Sequence, residues 1–425
     1  MIETVIKGGT VVDQTGNKEV DVGIGNDGNI LSIGPDLTGN NIIDAAGCVV
    51  APGLVDLNSH FRQPGDEETE TVESGTRSAI LGGYTAVVAM PGIDAAVDSA
   101  AAVREIQALR NEALCHVEIA GSLTAGCKGE ELAPIGEMAG LGVRFFTDPL
   151  PRFPNDLLVR RVMEYASNFD VTIALPPISA LTMAQAHMHE GAVSSHLGIP
   201  GVSIEEEELM TYRFLKMCQL TGTRMHLQQL SSPNAIELVA AAKSEGVPVT
   251  CEVSPHHFSL TDEAVETFQQ RYKLLPPLRA KSHVESIKEC IVKGNVDAIA
   301  TCHSPNPPHA EDLPFEEAPF GGIGLETALA VSLTELDSNI EQILSLLSWM
   351  PADIAGIGDS HGGVLSIGRP GNIVVIDKSV IWKPVGSEMA SKSNNTPFEG
   401  YPLKGKVRHT IVNGEVVVLN GEAQR

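Results

Sequence analysis

An apolar run, Ala51-Pro52-Gly53-Leu54-Val55-Asp56, leads straight into Leu57-Asn58-Ser59-His60. Side chains alternate between the two faces of a strand, so Asn58 and His60 share a face. An Asp-x-His-x-His ending would aim two imidazoles at one point, which is half of a zinc site. Here the first of those positions is a carboxamide, a poor ligand beside imidazole. Other ligand-like groupings are weaker. His187-Met188-His189-Glu190 sits in an Ala/Met-rich stretch read as helical, where residues two apart diverge by about 200°. Cys302, His303 and His309 are separated by prolines and read as a loop. Gly321-Gly322-Ile323-Gly324 has no Lys-Ser/Thr and no strand before it, so it reads as a turn and not a phosphate loop. Glu205 to Glu208 reads as the solvated first turn of a helix, where acids suit the dipole.

The chain that must position these residues has 425 of them, enough for one large α/β domain and a smaller one. No stretch approaches ~20 uninterrupted apolar residues, so a membrane span is not expected. The N-terminal Met1-Ile2-Glu3-Thr4-Val5-Ile6 reads as a strand, with no signal peptide. Seven scattered cysteines without a Cys-x-x-Cys point to a reducing cytoplasm and buried thiols. A net charge of −25 excludes nucleic acid and anionic membrane as partners and leaves a solvated surface or a basic partner.

Residues 1–52 and 360–425 alternate short β-type runs with Gly/Asn/Asp turns, as in Gly9-Thr10-Val11-Val12-Asp13 and Asn372-Ile373-Val374-Val375-Ile376. Two such ends are expected to pair into one small β-sandwich domain. Residues 53–359 hold eight strand candidates: 55–57, 85–90, 116–120, 143–146, 171–174, 224–227, 247–253 and 298–301. Helical patterns such as 74–81, 101–112 and 234–244 lie between them. That alternation reads as an α/β fold of the (β/α)8 TIM-type barrel class, with chemistry at the C-terminal strand ends.

An ordered set of segments then resembles the dihydroorotases of the amidohydrolase superfamily. They include Pro52-Gly53-Leu54-Val55-Asp56, His60-Phe61-Arg62-Gln63-Pro64-Gly65, Gly82-Gly83-Tyr84-Thr85, Ser254-Pro255-His256-His257, Pro276-Pro277-Leu278-Arg279 and Asn395-Thr396-Pro397-Phe398. The resemblance implies zinc that polarises a cyclic amide and generates hydroxide. It also implies a histidine pair after strand one, an acid after strand four, histidines after strands five and six, and an aspartate after strand eight. In this chain those positions hold Asn58 and His60, Asp148 followed by Pro149, Leu175 in Leu175-Pro176-Pro177-Ile178, Gln229, and Cys302. Among substrate contacts, Arg62 is kept for a carboxylate, whereas Gly92, Leu275 and Asn306 replace the family's residues.

So many replacements lead to the expectation of a pseudoenzyme with a vestigial site, no zinc and no catalytic residue. Within the family the resemblance is nearest to non-catalytic chains that assemble with the catalytic chain of aspartate carbamoyltransferase in pyrimidine biosynthesis. An oligomeric, cytoplasmic assembly subunit is therefore expected. Two alternatives stand beside it: an active, divergent dihydroorotase or other zinc cyclic-amide hydrolase, and a metabolite sensor gripping a carboxylate through Arg62.

Overall fold

The computed structural model describes residues 1–92, 95–149 and 156–425. Among them, eight parallel strands follow one another in chain order: Leu54–Ser59, Tyr84–Ala89, His116–Gly121, Phe145–Thr147, Thr172–Leu175, Met225–Leu227, Val249–Val253 and Ala298–Ile299. The register carries each run against the next, with Val55 opposite Ala86, Val87 opposite Val117, Phe146 opposite Ile173 and Leu175 opposite Leu227. The eighth strand returns to the first through a bridge between Ser59 and His303, and His60 N donates to His303 O at 2.8 Å. The barrel expected from the alternating pattern is the one found.

Helices form where the apolar spacing switches to helical period and a polar cap precedes it. Thr71 and Ser74 cap Val72–Leu81 reciprocally, at 3.1 and 3.0 Å, and Ser232 caps Pro233–Ser244, whose proline occupies the first turn. The helices pack on the outward strand residues, as Val103, Val162 and Ile236 join Val87, Ile119 and Ile173 in one core. The barrel's inside is filled by Leu57, Val88 and Phe145 among alanines 120, 174, 298 and 300. Bulky residues from a few strands against alanine from the others fill the narrow lumen without a pore.

Both termini build two further sheets. Seven strands lie in the order Glu422–Ala423, Glu415–Leu419, Leu403–Val412, Ile373–Trp382, Val49–Pro52, Thr10–Asp13, Gly16–Glu19. Four more lie as Ile30–Gly34, Asp21–Gly25, Ile2–Lys7, Asn41–Asp44. Ile6, Val22, Ile24, Val50, Val375 and Ile411 share the core between them. Gly53 turns this unit into the first barrel strand. A Cβ there would lie 2.1 Å from the Thr85 side chain, so no larger residue fits.

Two local readings differ from the structure. Met188–His189 is a strand paired in parallel with Gly201–Val202, not part of a helix. His187 N donates to Pro200 O and Glu190 N to Val202 O, so a distant segment takes the amides a helix would have used. Within Ile204–Thr221, Glu207 is buried with Ile204, Thr211 and Phe214, while Glu205 is exposed. No helix among the described residues is long and apolar enough to cross a membrane, and all seven cysteines are free and buried.

Candidate active site at the barrel mouth

Asn58 is nearly solvent-free, and its Nδ2 donates to Glu252 Oε1 at 3.2 Å. The carboxylate fixes the amide's orientation, so Oδ1 faces away, buried and without a partner among the described residues. Glu252 also meets His226 Nε2 at 3.1 Å, and the other His226 nitrogen lies 2.8 Å from Thr250 Oγ1. A carboxylate accepts only, so Nε2 carries a proton toward Glu252, and the Thr250 hydroxyl also has Met225 O at 3.5 Å. His226 thus faces the barrel interior beside Phe145, between Met225 and Leu227 that pack outward, with both nitrogens engaged.

His60 lines a cavity of about 370 Å³ with Arg62 and Met90. Burial, reinforced by the charges of Arg62 and His303, pushes its pKa down to about 3, so the ring is neutral. Arg62 has φ 59°, a left-handed conformation that turns its side chain toward the eighth strand's loop. There Nε donates to Pro305 O at 3.2 Å and Nη2 to Ser304 Oγ at 2.9 Å. Both partners are neutral, so the guanidinium is held in place without an ion pair among the described residues, with Asp66 and Glu70 attracting it from farther off.

The remaining sequence-named positions divide. Gln229 and Cys302 both adopt left-handed φ, 57° and 50°, at the ends of strands six and eight. Gln229 Oε1 is a second buried oxygen without a partner. Burial, with Glu252 and Asp56 nearby, pushes the Cys302 thiol well up, while Gln229 and Ser254 hydrogen-bonding toward it act the other way. It is a thiol and not a nucleophilic thiolate. Asp148 does not join them. Its carboxylate accepts from Leu123 N at 2.9 Å, Thr124 N at 3.2 Å and Thr124 Oγ1 at 2.5 Å, which anchors the loop after strand three. Leu175 is buried in the layer under the helices. Asn306 is tied to the C-terminal segment, its N donating to Asn395 Oδ1 at 3.4 Å and its O accepting from Ser393 Oγ at 2.6 Å.

Sequence reasoning missed two buried carboxylates. Asp56 accepts from Thr301 N at 2.7 Å and Thr301 Oγ1 at 2.9 Å, and so joins the first strand to the eighth. Glu70 meets His303 Nε2 at 3.3 Å and the hydroxyls of Ser74 and Ser391, while His303 Nδ1 accepts from Gly324 N at 3.2 Å. This network ties the segment carrying Arg62 to the barrel rim. Glu70 lies in an acidic run, Asp66 to Glu70, that carries no sign of burial.

The donors at this mouth depart from the usual zinc set. Among the described residues no three His, Cys, Asp or Glu side chains converge as a ligand set. The donors on offer are the His60 ring, the Cys302 thiol and the two orphan carboxamide oxygens, a neutral set unlike the imidazole, thiolate and carboxylate ligands zinc uses.

Residues 47–235 match the family described as Dihydro-orotase-like. The chain is 38% identical over 419 residues to the dihydroorotase of Solibacter usitatus, covering 96% of each. It is 38% identical over 425 residues to that of Pelotomaculum thermopropionicum, covering 98% of this chain and 99% of the relative. The chain belongs to the dihydroorotase family. Among solved structures, L-hydantoinase from Arthrobacter aurescens superposes with a TM-score of 0.89 over 100% of this chain and 98% of that one. At 22% identity this establishes the shared fold.

These findings correct two expectations. Relatives of nearly full length carry the plain name dihydroorotase, which points to an active hydrolase and not to a pseudoenzyme. The same membership overturns the expectation that the family's zinc has been lost, since replaced ligand positions are not evidence of lost binding in a family named for its hydrolases. The narrower placement among non-catalytic assembly chains is likewise not what these relatives are named for.

Proposed function

We propose that this member of the dihydroorotase family is an active, divergent hydrolase of a carboxylated cyclic amide, with dihydroorotate as the first substrate to test. The observation that supports it most is Arg62, braced by Ser304 and Pro305 beside the His60 cavity and without an ion pair among the described residues. A ring carboxylate placed on that guanidinium gains charge-assisted hydrogen bonds. The neutral His60 ring then serves as a hydrogen-bond partner for the bound amide. The test is turnover of dihydroorotate and of its ring-opened carbamoyl aspartate, with protein as purified and after incubation with zinc. Arg62→Met is expected to lower kcat/KM by about 10- to 100-fold, the worth of a hydrogen bond to a charged group. Wild-type protein inert in both directions and under both conditions would overturn the reading.

We also propose a cytoplasmic enzyme that associates with the catalytic chain of aspartate carbamoyltransferase. Support comes from the outer face of Ile204–Thr221, where Leu209, Tyr212 and Leu220 are 71%, 52% and 60% exposed. Leu157 and Tyr165 extend the apolar surface onto the neighbouring helix Asp156–Ala166. Light scattering of the two chains mixed should give a species heavier than either, lost on Leu220→Glu. Unchanged masses in the wild-type mixture rule the partner out.

A further inference from the structure

The cavity at His60 extends well beyond the barrel mouth. Its walls past Arg62 are apolar, formed by Val72, Val97, Ile106 and Val117, and a second guanidinium, Arg110, lines it as well. Arg110 follows the helix Ala100–Leu109. Its Nε is buried without a hydrogen-bond partner among the described residues. Its ion pair with Glu118 is long, 3.6 Å, and that carboxylate has a closer partner in His116 Nε2 at 2.6 Å.

Arg62 is in a similar state. Among the described residues it makes no ion pair, only bonds to a carbonyl and a hydroxyl. Asp66 also lines the cavity but is exposed at the rim, where water screens it. In a chain of net charge −25, two cations thus face one cavity, and among the described residues neither has a carboxylate at hydrogen-bond distance, although Asp66 and Glu70 attract Arg62 from farther off. A half-buried guanidinium with no carboxylate at hydrogen-bond distance gains charge-assisted hydrogen bonds from a bound anion. Apolar walls with a few polar groups are also the usual makeup of small-ligand sites, and about 370 Å³ lies within their usual range.

We propose that this cavity binds an extended organic anion with an apolar body and an acidic group at each end, bridging Arg62 and Arg110. The apolar side chains take the body and exclude water from the two ion pairs. Arg62 is shared with the function proposed above, so a ligand of this kind competes with a carboxylated ring or extends from it.

A chain-length series tests this on the intact protein. Calorimetric binding is measured for succinate, adipate and suberate, and for the monocarboxylates of equal length, butyrate, hexanoate and octanoate. One dicarboxylate length should bind best, about tenfold or more tighter than its monocarboxylate, the worth of one charged hydrogen-bonded contact. Arg110→Met should abolish that preference, and Arg110→Gln serves if the methionine variant folds poorly. Equal binding of mono- and dicarboxylates to wild type, or an unchanged preference in either Arg110 variant, overturns the proposal. A dicarboxylate preference in a protein that turns over no dihydroorotate would keep this inference and remove the hydrolase reading. Dihydroorotate turnover without any dicarboxylate preference would do the reverse.

Discussion

Glu207→Ala is expected to destabilise the chain by about 3–5 kcal/mol, the usual result of removing one partner from a buried ion pair. Glu207 and Arg279 are 3% and 2% exposed and meet at 3.1 Å. Glu207 Oε1 accepts from Ser231 N and Ser232 N, both at 2.7 Å, and its other oxygen accepts the Ser231 hydroxyl. Arg279 donates from Nε to Ser231 Oγ at 2.9 Å and has His189 Nδ1 at 3.2 Å from Nη1. Alanine at 207 therefore strands a buried guanidinium and two backbone amides at once. Removing both charges, as Glu207→Met with Arg279→Met, should cost less than the sum of the two single changes, because neither charge is left alone. Urea midpoints of the four proteins measure this. Additive single and double effects would show that the pair does not act as a unit.

That network shows where sequence reasoning stops. The acidic run 205–208 reads as a solvated helix turn, and for Glu205 this holds. Glu207 is turned inward because it shares a face with Ile204, Thr211 and Phe214, and its partners lie 24 and 72 residues away. A one-dimensional pattern carries periodicity, and so the eight barrel strands were legible as β-branched runs between turn residues. It does not carry the direction of a lone polar side chain. Asp148 was correctly placed after strand four, yet its carboxylate turns to the amides of Leu123 and Thr124. Asn58 and Gln229 could be read as replaced positions. That both would present an orphan oxygen could not, because Asn58 is oriented by Glu252, 194 residues on. Inferring lost activity from those replacements was the step that failed, since family membership follows from the whole chain and not from seven positions.

Acid should weaken the fold steeply, starting just below pH 6.5. Five buried histidines, His189, His256, His257, His361 and His409, and the half-buried His60 have depressed pKa values, all from burial first. His60, His257 and His361 are pushed down to about 3, His189 to about 4, and His256 well below its usual range. The hydrogen bonds fit neutral rings. His257 Nε2 is 2.8 Å from Pro276 O and must donate, which leaves Nδ1 to accept from Ser254 Oγ at 2.7 Å. In the unfolded chain each ring takes a proton near pH 6.5, whereas in the fold His60, His257 and His361 stay neutral until about pH 3 and His189 until about pH 4, with His256 shifted in the same direction. The unfolded state thus binds more protons throughout that window, so stability is full above pH 6.5 and falls as pH drops. Each such ring adds a slope of up to about 1.4 kcal/mol per pH unit. Asp56, Asp148 and Glu326 work the other way, because burial raises their carboxyls and protonation relieves them as pH falls. Glu70 adds to the acid loss. Burial raises it, but hydrogen bonds from His303, Ser391 and Ser74 outweigh that and hold it low, so its contribution disappears as pH falls through its folded value. The histidine window opens before that of Glu70, because it begins near pH 6.5 and the carboxyl reference value lies near 4. Urea midpoints at pH 7.5, 6.5, 5.5 and 5.0 should fall progressively below 6.5, with net proton uptake on unfolding. A flat profile across that range would mean that these rings are already protonated in the fold.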